Sequence, residues 1–329
     1  MVLSLRRLKS HFGSKSLLNF LEDEEKLAKC LSGTKVQLDD FKLISNINTQ
    51  TKHQSRNSDK ETVTIKLYHS KHNLSDHPVV LKLMHLDFDN DLIDQGMHEI
   101  EMLKGLKHVN VLPLLTSFLS NQDLYVVISA AQYGSLDMWR RPVGICETAI
   151  AFVIRDVLTA LTYLHKQGIV HRAICGAHTL INSNGNCLLT GLKYSTTMMR
   201  EGKLQSSIYD YPNYSSKLLN ITAPEILRQN MRGYNTRSDI YSVGILCCEL
   251  ANGCVPFDEV ESTEMLLDKL TGNFPRPLDS NCEEIQNFSL ETFSPEMLER
   301  YNSYKSRTFT PAFHSFTTEQ CLHHDFQNR

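Results

Sequence analysis

The chain has 329 residues, about two domain lengths at ~150 residues per domain, which is enough to bury a sizeable core. With 41% hydrophobic and 22% charged residues, and only 15 Gly and 10 Pro, its composition is globular and excludes a charged disordered tail or a collagen-like repeat. The 34 basic and 37 acidic residues leave a net charge of −3, so nothing in the electrostatics favours nucleic acid or an anionic membrane, and small molecules or other proteins are the expected partners. The nine cysteines run from Cys30 to Cys321 with no C-x-x-C pair and only Cys247 and Cys248 adjacent, a pattern of a reducing compartment without disulfide framework or zinc site. Apolar stretches such as Ala149 to Leu161, which contains Arg155 and Asp156, are expected to break before the ~18 residues of a membrane helix.

Residues 1–39 read as a polar tail with Arg6, Arg7, Lys9 and Lys15 near its start and a helical pattern around Leu17 to Leu31. From Phe41 the chain gives β-branched runs at Phe41 to Ile44, Val63 to Leu67, Val79 to Leu83 and Leu124 to Ile128. A polar insert at Lys52 to Lys60 and one helical stretch, Asp91 to Leu106, interrupt them. This predicts a small antiparallel sheet with a single packed helix over residues 40–131. After the Ser129 to Gly134 connection the period changes to that of long helices, notably Ile145 to Gln167, Ser238 to Ala251 and Thr263 to Gly272. Residues 132–329 are therefore expected to be mainly helical, with a polar surface insert at about 280–307 and hydrophobic periodicity returning at Phe313 to Leu322.

A small sheet lobe, a hinge and a larger helical lobe form an α+β layout that resembles the bilobal protein kinase fold. Three motifs carry the resemblance in order: His171-Arg172 after a strand, Ala223-Pro224-Glu225, and Ser238-Asp239-Ile240-Tyr241-Ser242-Val243-Gly244 at the start of a helix. Kinase chemistry needs cradled phosphates, a lysine on those phosphates, Mg²⁺ held by an Asp and an Asn, and an Asp that takes the substrate hydroxyl proton. By this spacing Ala173 stands at the base position, His178 at the metal-binding amide and Gly191 at the metal-binding carboxylate, with Lys193 two residues on. The phosphate loop Ser45 to Gln50 contains no glycine. Lys82 and Glu99 match the ion pair that closes kinase lobes, and Leu103, Leu114, His171, Leu192 and Asp239 match its apolar column and anchor.

The stretches Leu189 to Lys193, Tyr209 to Ser215, Gly233 to Ile245, Cys248 to Phe257 and Arg307 to His314 resemble the sterile-20-related adaptor pseudokinases (STRAD). That resemblance implies a catalytically inactive, cytoplasmic and also nuclear adaptor in cell-polarity signalling. Such an adaptor binds and allosterically activates a serine/threonine kinase of the liver kinase B one type, together with a helical-repeat scaffold of the mouse-protein-25 type. The nucleotide slot is expected either to hold ATP without Mg²⁺ or any other metal, or to be filled and nucleotide-free. For ATP, Ile65 and Leu180 fit the roof and floor of the adenine slot, Ile128 precedes the hinge and Ala131 offers hinge backbone groups. Lys82, paired with Glu99, faces the phosphates, and Lys193 takes over part of the missing ion's charge. The segment from Gly191 to Glu225 carries Tyr194, Tyr209, Tyr211 and Tyr214, of which Tyr209 and Tyr211 are expected to meet the partner and Tyr214 to pack back on its own lobe. The family's Trp-Glu-Phe tail has no counterpart, since Trp139 is the only tryptophan, and by spacing Arg329 is the arginine that pairs with Glu225, so a C-terminally shortened chain is expected. The alternatives are an atypical active kinase with relocated metal ligands, or a scaffold for another kinase of the sterile-20 branch.

Overall fold

The structure is a computed structural model that describes residues 37–47, 66–73, 76–85, 90–121, 123–139, 144–212, 218–229, 231–273, 275 and 283–293. The expectations for the basic tail, the Lys52 to Lys60 insert, Ile65, Tyr214, Phe313 to Leu322 and Arg329 lie outside the described residues. The chain divides into two units, Met1–Ala130 and Ala131–Arg329.

The first unit is a five-stranded antiparallel sheet with one helix, built from β1 (Phe41–Ile47), β2 (Lys66–His72), β3 (Pro78–His85), α1 (Asn90–Leu103), β4 (Leu114–Ser120) and β5 (Asp123–Ser129) in the order β1-β2-β3-β5-β4. Alternation decides the faces: Phe41, Val79, Leu81 and Val127 are buried together, with Phe118 stacked 6.0 Å from Phe41. The opposite face of β3 and β5 buries Met84, Leu124 and Val126, against which Ile100 of α1, Leu114 and Ile128 pack. Sequence periodicity overlooks β4. Its pairing with β5 shifts register between Leu114 and Thr116, so the inside-outside alternation that marks a strand is interrupted. The helix ends at Leu103, short of the expected Leu106, and the chain leaves it through Gly105 at φ +85.

The second unit holds α2 (Glu147–Lys166), the short strands β6 (Ile169–Val170), β7 (Thr179–Ile181), β8 (Cys187–Leu189), β9 (Thr196–Thr197), β10 (Met199–Arg200) and β11 (Lys203–Leu204), a single turn α3 (Pro224–Leu227), then α4 (Arg237–Asn252), α5 (Ser262–Thr271) and α6 (Glu283–Phe293). Strands β6 and β9, β7 and β8, and β10 and β11 form three two-stranded ribbons. On length and composition α2, with 20 residues and a mean hydropathy of 1.2 over its most apolar window, could cross a membrane, which corrects the expectation that every apolar stretch breaks too early. It serves as a core helix here, packed on β6, β8 and α4. Its two mid-helix charges neutralise each other, Arg155 Nη2 donating to Asp156 Oδ1 at 2.8 Å, while Asp156 Oδ2 also accepts from Cys187 N at 2.9 Å.

The expected surface insert at 280–307 needs a second correction. Among its described residues, 283–293 form α6, which packs against α4 and buries Phe288, Ser289, Thr292 and Phe293. The close approach depends on Gly244 of α4, where a Cβ would stand 2.0 Å from Thr292 Oγ1. Phe293 then meets Tyr241 edge to face, ring centroids 5.3 Å apart, and completes a core cluster with Ala173, Ile221, Ala223, Ile245 and Cys248.

Candidate functional site

The loop after β6, His171 to His178, is set by a carboxylate from another element. Asp239, in the first turn of α4, is fully buried, and a buried carboxylate must be satisfied by donors. Its Oδ2 accepts from His171 N at 2.9 Å and sits 2.8 Å from His165 Nε2, and its Oδ1 accepts from Arg172 N at 2.8 Å. Burial alone pushes this carboxyl up, but the hydrogen bond and charge of His165, with His171 close by, outweigh it and hold Asp239 below the usual carboxylate range. The two amide bonds fix Arg172 in the left-handed region at φ +65. Burial lowers the pKa of His171. Its Nε2–H then donates to Thr190 O at 2.9 Å, and its Nδ1 accepts from Ala173 N at 3.2 Å. Further along, Glu249 of α4 accepts from Gly176 N at 3.1 Å.

The positions where kinase chemistry would reside look different. Ala173 is a fully buried methyl in the core cluster shared by Tyr241 and Phe293, with no proton acceptor to offer. His178 turns its Nδ1 onto Ala173 O at 2.6 Å and tilts against the Tyr194 ring, centroids 5.5 Å apart. Gly191 lies beneath that imidazole at φ +90, and a Cβ there would come 2.8 Å from His178 Cγ. Magnesium demands near-octahedral oxygen ligands. A methyl, an imidazole and a glycine supply no side-chain oxygen at these positions, so the donor set does not fit Mg²⁺. The neighbouring Cys175 thiol is no substitute nucleophile, since burial and the nearby Glu249 push it up to about 12.

The residues expected at a nucleotide divide between the two units. In the first, Lys82 of β3 and Glu99 of α1 form an ion pair with both side chains largely shielded, and Ile128 packs in the sheet cluster. In the second, Ala131 is buried and its carbonyl accepts from Gly134 N at 3.1 Å, Leu180 of β7 bridges Ser135, and Lys193 Nζ lies 4.7 Å from the centroid of the Tyr194 ring. Leu103, His171, Leu192 and Asp239 are buried and Leu114 is half-buried, each within its own unit.

The segment running from Gly191 to Glu225 is anchored twice, and sequence reasoning missed both anchors. Arg172, buried, donates through Nε to Tyr194 O at 2.8 Å, through Nη2 to Ser195 O at 3.1 Å, and through Nη1 to Asp210 Oδ2 and Tyr234 Oη, both at 2.8 Å. The phenol of Tyr234, pushed up by burial, donates to Asp210 Oδ1 at 2.7 Å and closes a ring of three side chains. Asp210 is the acidic residue of the Tyr-Asp-Tyr run, and its position between two aromatics was the signal available. On either side, Tyr209 is 65% and Tyr211 42% exposed, while Tyr194 packs on the core cluster.

Farther along, Lys269 of α5 is fully buried and donates to Leu219 O, Asn220 O and Thr222 O at 2.6, 2.7 and 2.9 Å, between the Tyr241 and Phe257 rings. Burial drives its ammonium well below the usual lysine value, partly offset by Glu225. A lone lysine in the apolar stripe of α5 was the corresponding sequence signal.

An antiparallel sheet with one helix, a histidine-arginine loop clamped by a buried aspartate and a segment closing on Ala-Pro-Glu are the parts of a protein kinase domain, and residues 63–329 match the family model described as protein kinase domain. The chain is 37% identical over 253 residues to STE20-related kinase adapter protein alpha of Bos taurus, covering 71% of this chain and 68% of that protein. The human alpha protein gives 38% identity over 71% of this chain and 58% of its own length, and the human beta protein 33% over 76% and 65%. The chain belongs to the protein kinase domain family and, within it, to the STE20-related kinase adapter proteins. It spans 58% to 68% of the length of these relatives.

Proposed function

We propose that this chain is a catalytically inactive pseudokinase adaptor that binds and allosterically activates a serine/threonine kinase of the liver kinase B one type, together with a mouse-protein-25-type scaffold, in the cytoplasm and nucleus. The observation that carries the reading is the pairing of an inert centre with an ordered, exposed platform. Ala173, His178 and Gly191 provide neither base nor metal ligand, while the segment that receives substrate in a kinase presents Tyr209 and Tyr211 outward. The relatives named kinase adapter proteins support the same reading. A partner kinase docked on this platform is shifted towards its active state without phosphate transfer from the adaptor. ATP binding without magnesium belongs to the proposal, with Lys82 and Lys193 supplying the cationic charge at the phosphates.

Reconstitution with the partner kinase and scaffold is the test. Activation by the wild-type chain, its loss in a Tyr209→Ala/Tyr211→Ala double variant of unchanged thermal stability, and no label transferred from radioactive ATP are expected. Activation by the double variant would remove the segment from the mechanism, and label incorporation above a Lys82→Ala control would refute the inactive centre. For the nucleotide, a thermal shift with ATP that survives EDTA is expected, and a strictly Mg²⁺-dependent shift would overturn that part.

A further inference from the structure

We infer that Asp210 is a built-in anion that takes the place of a regulatory phosphate and positions the segment carrying Tyr209 and Tyr211 for docking. In a kinase domain a loop of this kind is commonly ordered when a phosphoryl group arrives opposite an arginine and creates charge-assisted hydrogen bonds. Here the arginine is already engaged by the chain's own carboxylate. Arg172 Nη1 reaches Asp210 Oδ2 at 2.8 Å and Tyr234 Oη reaches Asp210 Oδ1 at 2.7 Å, so both carboxylate oxygens have a donor. The arginine itself is immovable: its backbone amide is held by Asp239 and its other nitrogens by the carbonyls of Tyr194 and Ser195.

The geometry ties this lock to the tyrosines on each side of it. Residue 208 is fixed by two backbone hydrogen bonds with Tyr234, Ile208 N to Tyr234 O at 2.7 Å and Tyr234 N to Ile208 O at 2.9 Å. Tyr234 therefore holds the segment by its main chain at residue 208 and by its hydroxyl at residue 210. Ile208 is buried and Asp210 is tied to Arg172 and Tyr234, while Tyr209, its ring beside Gly233, and Tyr211 remain exposed on either side of the lock. Asp210 is thus a positioning residue for the docking surface, and this role rests on the docking reading proposed above. A segment ordered by its own carboxylate needs no upstream kinase to become competent.

The test uses the full chain with Asp210→Ala, Asp210→Asn and Asp210→Glu. Hydrogen–deuterium exchange of the amides between residues 203 and 212, read in the isolated protein, reports the lock. Affinity for the liver kinase B one-type kinase reports docking. The Ala and Asn variants are expected to speed exchange in this segment and, as the competent fraction falls to about a tenth, to weaken binding about tenfold. The Glu variant, which keeps the charge, is expected to restore most of both, and overall melting is expected to stay within a few degrees because Asp210 is half-exposed. Phosphatase treatment of the wild-type chain is expected to change neither readout. Unchanged exchange in the Ala variant would overturn the lock, and faster exchange with unchanged affinity would overturn its part in docking. A phosphatase-sensitive segment would overturn the claim that the carboxylate suffices. A wild-type chain that fails to bind the kinase at all would sink the docking reading, while the exchange measurement would still decide the lock.

Discussion

Two regions meet at the loop after β6, and they have been treated oppositely by the sequence. The backbone support is complete: Asp239 and Glu249 of α4 hold the amides of His171, Arg172 and Gly176, although the loop from His171 to His178 carries no acidic residue of its own. The positions that spacing assigns to base and metal hold a buried methyl, an imidazole packed on its own loop and a glycine beneath it. The contrast teaches that the cradle of a kinase loop and its chemistry are separable. Carboxylates that face backbone amides are required by folding, since each buried N–H needs an acceptor. Carboxylates that face metal and substrate are required only by turnover.

The contrast is most directly broken by attacking the support. Replacing Asp239 by Ala strands two buried amides and His165 and is expected to cost about 3–5 kcal/mol, measured by urea unfolding; a cost below about 1 kcal/mol would mean the loop is held by something else. Replacing Lys269 by Met removes the donor of three carbonyls at the end of the segment and is expected to cost about 3 kcal/mol in the same assay.

Restoring chemistry probes the other side. Gly191→Asp places a side chain at φ +90 and against His178, so the single change is expected to destabilise by about 1–3 kcal/mol and to give no Mg²⁺ affinity by calorimetry. Adding His178→Asn beside it is expected to recover part of that loss, and a double-mutant cycle with no coupling would show the two positions to be independent.

The smallest expected effect is on pH dependence. Burial lowers the pKa of His171, so the unfolded chain binds the proton that the folded chain refuses below the ordinary histidine value. Stability is therefore expected to fall with pH. Between about pH 7.5 and about pH 5.5 the wild type should lose about 1 kcal/mol more than His171→Gln; parallel curves would show that His171 does not set the slope.

How much of this was visible beforehand follows from how local each signal is. The His171-Arg172 loop and the Ala223-Pro224-Glu225 motif of the kinase domain were legible from spacing alone, because a motif fixes position along the chain. The long helices and strands β1, β3 and β5 were legible from their periods, whereas the expected run Val63 to Leu67 meets β2 only at Lys66 and Leu67. Strand β4 was not, since its bulge interrupts the alternation, and α6 was not, since Glu283, Glu284 and Glu291 disguise the face formed by Phe288, Thr292 and Phe293. The Arg172–Asp210–Tyr234 ring and the Lys269 cage join residues between 24 and 62 positions apart, and no local pattern announces a contact at that distance.

The way the second unit packs its sulfur has a consequence for how the chain meets oxidants and alkylating reagents. Cys187 donates its amide to Asp156, Cys248 belongs to the core beside Ala173, and Cys175 lies against His178. Burial pushes all three thiols up, and the reactive species of a cysteine is the thiolate. Cys146 and Cys254, by contrast, are exposed. Among the described cysteines, maleimide added to the folded protein will mark these two at once. Labelling of Cys175, Cys187 and Cys248 will then track the opening of the helical lobe, so the native sequence carries its own clock for unfolding without an introduced probe.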